Sequence, residues 1–258
     1  MMAAIVNSNQ LTLRLLRAFV RQPYYVAITL VQPVIWLFLF GQLFRDVVRI
    51  PGFATDSYVS FLTPGVVVMT ALFSNGWSGM GSIFDIERGV MNRFLVTPVS
   101  RVALMTGRIV SSAVSTLIQA LIILALGFIV GARFAGGPAV MAVFLVATLM
   151  LGMTFASLSN ALALLLRKQE SVIAAVNFLV MPLTFMSATF MPANLVPGWI
   201  QAVARYNPVN WAVEIGRQTI TPEPDWSLVA ARFAALAVLL VAAALLATRA
   251  FRAYQRSV

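Results

Sequence analysis

The sequence predicts an all-α membrane protein with six transmembrane helices. Of its 258 residues, 60% are hydrophobic and only 10% are charged, whereas about a quarter of the residues in an ordinary soluble domain are charged. A bilayer core needs roughly 20 apolar helical residues per crossing. Windows of this length, each with at most one charged residue, lie at 26–44, 62–84, 109–131, 138–166, 172–191 and 228–248.

The ends of the chain and its basic residues predict the orientation. Residues 8–22 place Leu and Phe on one helical face and Arg on the other, which is typical of a helix lying on the membrane surface before Pro23. With six spans both termini share a side. Placing them inside puts twelve of the eighteen Lys and Arg residues there. The positive-inside rule therefore predicts cytoplasmic termini.

The composition excludes most catalytic classes. The sequence has no Cys and no His, which removes disulfides, thiol nucleophiles, His-containing zinc sites and Ser-His-Asp triads. A Walker motif needs Gly-Lys followed by Ser or Thr, but the only lysine is Lys168 in Arg167-Lys168-Gln169. No Asp or Glu falls inside a span, although proton-coupled transporters usually carry one. These absences argue against an intramembrane enzyme and favour an external energy source.

The predicted cytoplasmic loop, residues 85–108, reads DIERGVMNRFLVTPVSRVALMTGR. Val90, Met91, Phe94 and Leu95 fall at helical spacing, and Pro98 ends this short amphipathic helix. Such a helix either lies on the lipid surface or inserts into a groove of a soluble partner. The periodicity alone leaves both interpretations open.

The predicted external segment, residues 191–227, contains two short amphipathic helices. Trp199, Tyr206 and Trp211 suit the headgroup layer, and Asn207-Pro208 predicts a turn followed by a helix with Pro in its first turn. The pair is either a re-entrant hairpin or a surface loop with aromatic anchors. On the second helix Glu214 and Arg217 are three residues apart on one face and could pair, as a solvated ion pair or as a gating element.

A stripe of small polar residues follows the second span. Thr70, Ser74, Ser78 and Ser82 recur every four residues, and Asn75 lies beside them. In lipid such a stripe lets helices approach closely and hydrogen-bond, or it lines a substrate path. Asn160 and Asn177, in the fourth and fifth spans, carry the same two interpretations.

Two segments resemble permeases of the type 2 ATP-binding-cassette transporter family. ERGVMNRFLVTPVSR resembles their common segment ERERGTLERLLVTPVSR, with Val90 in place of Thr and Asn92 in place of Glu. PLTFMSATFMPANLVPGWIQAVARYNPVNWAVEIGRQ resembles the corresponding stretch of daunorubicin-resistance and nodulation exporters. The resemblance implies a cytoplasmic coupling helix that docks on the ATPase and external re-entrant helices near the exit of the path.

The resemblance and the residue patterns together assign three groups of residues, of which the third comes from the polar stripe and Asn177 alone. The ATPase-coupling residues are Glu87, Arg88, Gly89, Val90, Met91, Arg93, Phe94, Leu95, Thr97 and Pro98. The external gate residues are Trp199, Tyr206, Asn207, Pro208, Trp211, Glu214 and Arg217. The residues of the substrate path or of helix packing are Thr70, Ser74, Asn75, Ser78, Ser82 and Asn177.

The resemblance implies an exporter permease, a single domain over residues 1–258, in the plasma membrane of a bacterium. It implies a second permease copy and two copies of a separate ATPase subunit that binds ATP and Mg²⁺, while the permease itself holds no cofactor and no nucleic acid. The apolar spans favour an amphipathic drug, lipid or lipid-linked glycan. The alternative is an ATP-independent channel or facilitator, for which the spans show no ion filter.

Overall fold

The computed structural model describes residues 23–53, 55–88 and 101–255, and every regular element in these ranges is helical. The α-helices are α1 (Pro23–Ile35), α2 (Tyr58–Gly76), α3 (Met80–Glu87), α4 (Arg101–Ile129), α5 (Gly137–Leu166), α6 (Gln169–Phe185), α7 (Gly198–Ala204), α8 (Pro208–Arg217) and α9 (Trp226–Gln255). A π-helical turn, Trp36–Phe40, and a one-turn helix, Gly41–Leu43, continue α1. A 3-10 turn, Trp77–Gly79, joins α2 to α3. The predicted interfacial helix at 8–22 lies outside the described residues.

Within the described ranges, four helical segments are long and apolar enough to cross a bilayer: Tyr58–Glu87, Ile109–Ile129, Gly137–Leu166 and Trp226–Tyr254. Two shorter apolar segments, Thr29–Leu43 and Gln169–Phe185, lie where the first and fifth spans are predicted. The expectation of an all-helical, multi-pass membrane protein is therefore confirmed, and the described part of the chain contains four full-length candidate spans with two shorter apolar helices.

The fifth predicted span is shorter than expected. The apolar window runs to residue 191, but α6 ends at Phe185. Beyond it the Ser187 hydroxyl donates to the Thr184 carbonyl at 2.6 Å and lies 2.7 Å from the Thr189 hydroxyl. Such local side-chain bonds compete with the helical pattern, and apolar composition does not reveal them. The backbone that follows, up to Pro192, is irregular and needs other partners.

Helix α2 lies at the centre of the bundle. Its side chains are buried almost without a break from Tyr58 to Leu72, against α4, α5 and α8. Helix α9 packs along α5, where Ala161 meets Ala247 and Ala250. Small side chains allow close approach of helices where lipid offers no hydrophobic driving force. Helices α1 and α6 flank α2, which places its polar stripe between several neighbours.

Candidate functional site

The polar stripe meets α5 at the 3-10 turn after α2. Ser159 Oγ donates to the carbonyl of Gly76 and accepts a hydrogen bond from the N–H of Gly79 at 2.9 Å. Backbone groups in a bilayer have no water to bind, so the turn needs such partners within the protein. A Cβ at Gly79 would overlap the Ser159 carbonyl oxygen. This close approach is possible only because residue 79 has no side chain.

The lower part of the stripe makes interhelical hydrogen bonds to one amide. Ser82 Oγ donates to Asn160 Oδ1 at 2.7 Å, and Asn160 Nδ2 donates to Ser78 Oγ at 3.1 Å. The same Nδ2 also donates to the Ala156 carbonyl at 2.8 Å. All the polar groups of the Asn160 amide are thus used. Ser78 and Ser82 therefore join α2 and α3 to α5.

Asn75 and Asn177 lie in opposite environments. Asn75 is buried, and its Nδ2 donates to the Thr116 hydroxyl on α4 and to the Ala71 carbonyl, both at 2.7 Å. Asn177 is exposed on α6 and has no hydrogen-bond partner in the described ranges. Asn75 thus joins α2 to α4, whereas the amide of Asn177 lies on the outer surface of α6.

The upper part of the stripe lines a cavity between α1 and α2. Its volume is about 180 Å³. The lining residues are Thr29, Gln32, Pro33, Met69, Thr70, Phe73, Ser74 and Trp77. None of these side chains carries a charge. The stripe therefore divides between a cavity, which Thr70 and Ser74 line, and the contacts with α5.

Two asparagines at the start of α8 bind the last turn of α6 and the irregular backbone that follows it. Asn207 Nδ2 donates to the carbonyls of Leu183 and Met186 at 2.7 and 3.0 Å, while its Oδ1 accepts from the N–H of Val209 at 2.9 Å and caps α8. Asn210 Oδ1 accepts from the N–H of Ala188 at 2.9 Å. Together they satisfy backbone groups on residues 183–188. The Asn207-Pro208 pair starts α8 as the sequence predicts.

Arg217, at the other end of α8, reaches the same backbone. Its Nη2 donates to the Ala188 carbonyl, and its Cζ lies 3.4 Å from the centre of the Phe61 ring on α2. Its Nε is buried and has no hydrogen-bond partner in the part of the chain that is described. Arginine keeps its charge in proteins, so the Phe61 ring and the Ala188 carbonyl face a buried cation.

Glu214 and Arg217, which the sequence spacing would allow to pair, do not form an ion pair with each other. Glu214 Oε2 lies 2.6 Å from Arg232 Nε on α9, and Glu214 Oε1 accepts from Asn210 Nδ2 at 2.9 Å. The side chains of Glu214 and Arg232 are 24% and 27% exposed. Arg217 instead contacts the Phe61 ring on α2 and the Ala188 carbonyl in the irregular backbone after α6. The acid thus joins α8 to α9, and the arginine joins α8 to α2 and to the backbone after α6.

The three aromatic residues of the external segment differ in exposure. Trp199 on α7 and Tyr206 before α8 are 61% and 76% exposed. Trp211 is half-buried, and its indole N–H donates to the Arg205 carbonyl at 2.7 Å. The two most exposed rings are thus available to a membrane interface, where aromatic residues with a polar tip are favoured.

Of the predicted coupling residues, the described ranges contain Glu87 and Arg88. Both are exposed at the end of α3, and the Arg88 guanidinium lies 6.0 Å from the centre of the Phe84 ring. The assignments from Gly89 to Pro98 lie outside the described residues. Helix α4 begins at Arg101, shortly after the Thr97-Pro98 break that the sequence predicts.

The described residues contain no group of three or more His, Cys, Asp or Glu side chains placed to hold a metal ion. Arg232 was missed as a site residue, although a charged residue within an apolar window indicates a buried partner. Sequence reasoning also missed the cavity residues of α1, Thr29 and Gln32, because one short apolar helix gives no sign of which face meets α2.

Comparison with known families gives a match over most of the chain. The family model described as ABC-2 type transporter matches residues 8–221. A protein of Cyanophora paradoxa named as a transport permease, ycf38, is 31% identical over 196 residues, which cover 75% of this chain and 67% of that relative.

Two bacterial relatives give matches of similar extent. The daunorubicin resistance ABC transporter permease protein DrrB1 of Streptomyces coeruleorubidus is 26% identical over 80% of this chain and 71% of its own length. The inner membrane transport permease YadH of Escherichia coli K12 is 26% identical over 83% of each chain.

Proposed function

Because the chain belongs to the ABC-2 type transporter family, we propose that it is the membrane-spanning permease of an exporter driven by an ATPase on a separate polypeptide. The observation that carries the proposal is the family match over residues 8–221. That range contains the predicted coupling loop, 85–108, and nearly all of the external segment, 191–227. The match therefore covers both stretches to which the proposal assigns a role.

The proposed energy source is ATP bound with Mg²⁺ by two copies of the ATPase. Closure of the ATPase on nucleotide would move the coupling helix, residues 87–98, and shift access across the membrane. The absence of a Gly-Lys-Ser/Thr motif from the printed sequence supports a division of labour between two chains. Glu87 and Arg88, exposed at the end of α3, lie at the start of the proposed docking surface.

The proposed assembly contains a second permease copy, and α6 supplies a surface for it. Phe178, Met181 and Phe185 on this helix are 78%, 52% and 57% exposed, and Asn177 lies among them. An amide facing lipid is unfavourable, whereas an amide facing a second helix can hydrogen-bond across the interface. The uncovered amide therefore supports a partner chain at this helix.

The proposed topology places both termini in the cytoplasm of a bacterium and the α7–α8 pair in the outer half of the bilayer. Asn207, Asn210 and Arg217 support this placement, because they bind the irregular backbone after α6. Such backbone is tolerated at membrane depth only where protein covers it. In this arrangement the aromatic residues of the external segment lie near the exit of the path.

The proposed substrate is an amphipathic molecule such as a drug, a lipid or a lipid-linked glycan. Relatives named for daunorubicin and doxorubicin resistance support this class. The cavity between α1 and α2, with aromatic, aliphatic and uncharged polar walls, suits the same class. A strongly charged solute would lose its hydration there without gaining a counter-charge.

The test is ATP-driven movement of an amphipathic solute by proteoliposomes. The permease is reconstituted with the ATPase that co-purifies with it, and daunorubicin accumulation is measured in proteoliposomes whose ATPase faces outward. Accumulation is expected only with ATP, Mg²⁺ and the ATPase present. Uphill accumulation by the permease alone would contradict the proposal, and equilibration without ATP would favour the channel or facilitator.

A further inference from the structure

The cavity between α1 and α2 combines two aromatic rings with hydrogen-bonding groups. Phe73 on α2 and Trp77, the first residue of the 3-10 turn that follows it, are four residues apart, about 6 Å along the helix axis, and both line the cavity. Thr70 and Ser74, also four residues apart, alternate with them. The α2 wall therefore offers flat apolar surfaces with hydroxyl groups between them.

Several polar groups at this cavity have no hydrogen-bond partner among the described residues. In the described ranges neither the Ser74 hydroxyl, the Gln32 amide nor the Trp77 indole N–H makes a hydrogen bond. By contrast, the buried side chains of Asn75, Ser82 and Asn160 are hydrogen-bonded to neighbouring groups. Ser74 and Trp77 are half-buried and Gln32 is exposed at the cavity edge, so these three polar groups can bind a molecule that enters the cavity. Together with the two aromatic rings they form a ligand-sized site with both apolar and hydrogen-bonding walls.

A buried amide behind the cavity wall adds a further acceptor. Gln119 on α4 is 1% exposed, and its Nε2 donates at 3.3 Å to the hydroxyl of Thr29, which lines the cavity. Its Oε1 is buried and makes no hydrogen bond to any described residue. Leaving such an oxygen unbonded is costly. The polar character of the wall thus continues behind α1.

The size and opening of the cavity limit what enters it. At about 180 Å³ it is slightly larger than the roughly 150 Å³ engineered cavity that binds benzene, so it takes a ring-sized group and not a whole drug molecule. Gln32 is exposed at its edge, beside exposed Val31 and Ile35 on α1. The cavity therefore opens on the flank of the bundle, where the rest of a larger molecule has room.

We infer that this cavity binds an uncharged aromatic ring that carries a hydroxyl or carbonyl group. The ring stacks on Phe73 or Trp77, and its oxygen binds Ser74, Gln32 or the Trp77 N–H. As the ring-binding part of the transport path, this site rests on the proposed function and narrows the substrate class from amphipathic molecules in general to those with such a ring.

The test uses tritiated 1-naphthol, which is uncharged, aromatic and carries one hydroxyl. Saturable binding is measured on the permease–ATPase complex in nanodiscs, and binding to empty nanodiscs is subtracted. Ser74→Phe fills the cavity and is expected to weaken binding at least about tenfold, because overpacking excludes the ring. The matched control, Ala242→Phe on the exposed face of α9, is expected to bind as the unmodified complex does.

Milder variants keep the test valid if Ser74→Phe fails to assemble. Ser74→Ala and Gln32→Leu each remove one hydrogen bond and are expected to weaken binding about three- to tenfold. Naphthalene-1-sulfonate should not compete, because the site offers no counter-charge. Unchanged affinity in all three cavity variants, equal competition by the sulfonate, or no saturable binding to the unmodified complex would overturn the inference.

The transport assay on the same preparations separates this site from the proposed function. ATP-driven transport without naphthol binding would contradict the assignment of the cavity as a binding site and would still support the proposed exporter function. Naphthol binding that depends on Ser74 and Gln32, without ATP-driven transport, would keep the binding site and remove its place in a transport path.

Discussion

The carboxylate of Glu214 on α8 lies 2.6 Å from Nε of Arg232 on α9, and this pair ties the external segment to the last span. Asn210 donates to the other carboxylate oxygen, so both oxygens are bonded. The same asparagine binds the backbone after α6. Asn210 and Glu214 on α8 therefore connect the backbone after α6 to α9.

Breaking the Glu214–Arg232 pair should destabilise the protein. Glu214→Gln or Arg232→Gln leaves one charge partly buried without its partner, and we expect a loss of about 1–3 kcal/mol, between the values for exposed and buried pairs. Equilibrium unfolding in mixed SDS and detergent micelles measures it. As control, Asp46→Asn removes the pair with Arg49, whose side chains are 61% and 82% exposed, and should change stability by less than about 0.5 kcal/mol.

A double-mutant cycle with Glu214→Gln and Arg232→Gln separates the pair from other effects of each substitution. The two losses should not add, because each single change already removes the same ion pair. Fully additive losses would show that the contact contributes nothing.

Asn207→Ala should weaken the attachment of α8 to α6. Asn207 is 3% exposed and makes three hydrogen bonds to backbone groups, including the cap of α8. Its loss leaves two carbonyls and one N–H unbonded, for which we expect about 2–3 kcal/mol. Asn194→Ala, which removes one exposed bond to Gly52, is the control and should lose less than about 1 kcal/mol. Equal losses for the two variants would show that the three hydrogen bonds of Asn207 stabilise the fold no more than one exposed hydrogen bond does.

The sequence predicted where the helices lie along the chain better than it predicted which side chains of different helices contact each other. The short helices at 198–204 and 208–217 follow from the Pro and Asn residues that bound them, since these residues act through local backbone geometry. The pairing of Glu214 could not be predicted in this way. Spacing along α8 brings Arg217 near, but the rotation of α8 against α9 decides that Arg232 is nearer.

The polar stripe shows the same limit. Its period of four places Thr70, Ser74, Ser78 and Ser82 on one face of a regular helix. The 3-10 turn at 77–79 interrupts that helix, so the first two residues line a cavity and the last two bind Asn160. The turn depends on Ser159 of another helix, which no local pattern reveals.

Gly79→Ala should disturb the junction of α2, α3 and α5. The added methyl group overlaps the Ser159 carbonyl, which belongs to the backbone and cannot rotate away, so we expect a loss of about 1–3 kcal/mol or failure to assemble. Gly198→Ala is the matched control, because nothing lies within 4 Å of its added Cβ, and its effect should stay below about 1 kcal/mol. Thermal unfolding of the two variants in detergent compares them. A normal midpoint for Gly79→Ala would contradict the close packing.

The start of α9 should respond to acid through Asp225. Hydrogen bonds from the Ser227 hydroxyl, then from the N–H groups of Leu228 and Ser227, lower the pKa of Asp225 below its usual value. A carboxyl with a lowered folded-state pKa stabilises the fold above its unfolded-state pKa, and this contribution disappears as the pH falls through the folded-state pKa. The thermal midpoint of the unmodified protein should therefore exceed that of Asp225→Asn at pH 7 and converge with it under acid. A constant difference across that range would contradict the cap.

Phe94→Asp and Leu95→Asp should each weaken binding of the ATPase. If the predicted coupling helix inserts its apolar side into a groove of the ATPase, each substitution buries a carboxylate without a partner. Loss of at least about 2 kcal/mol, or roughly thirtyfold in affinity, is expected and is measured by co-purification and by a titration of ATPase onto the immobilised permease. Ala135→Asp lies in the exposed connection between α4 and α5, on the predicted external side of the membrane. It adds the same charge, and this variant should bind the ATPase normally. Normal ATPase binding by both loop variants would place the docking surface elsewhere, whereas equal loss in the Ala135 control would point to general misfolding.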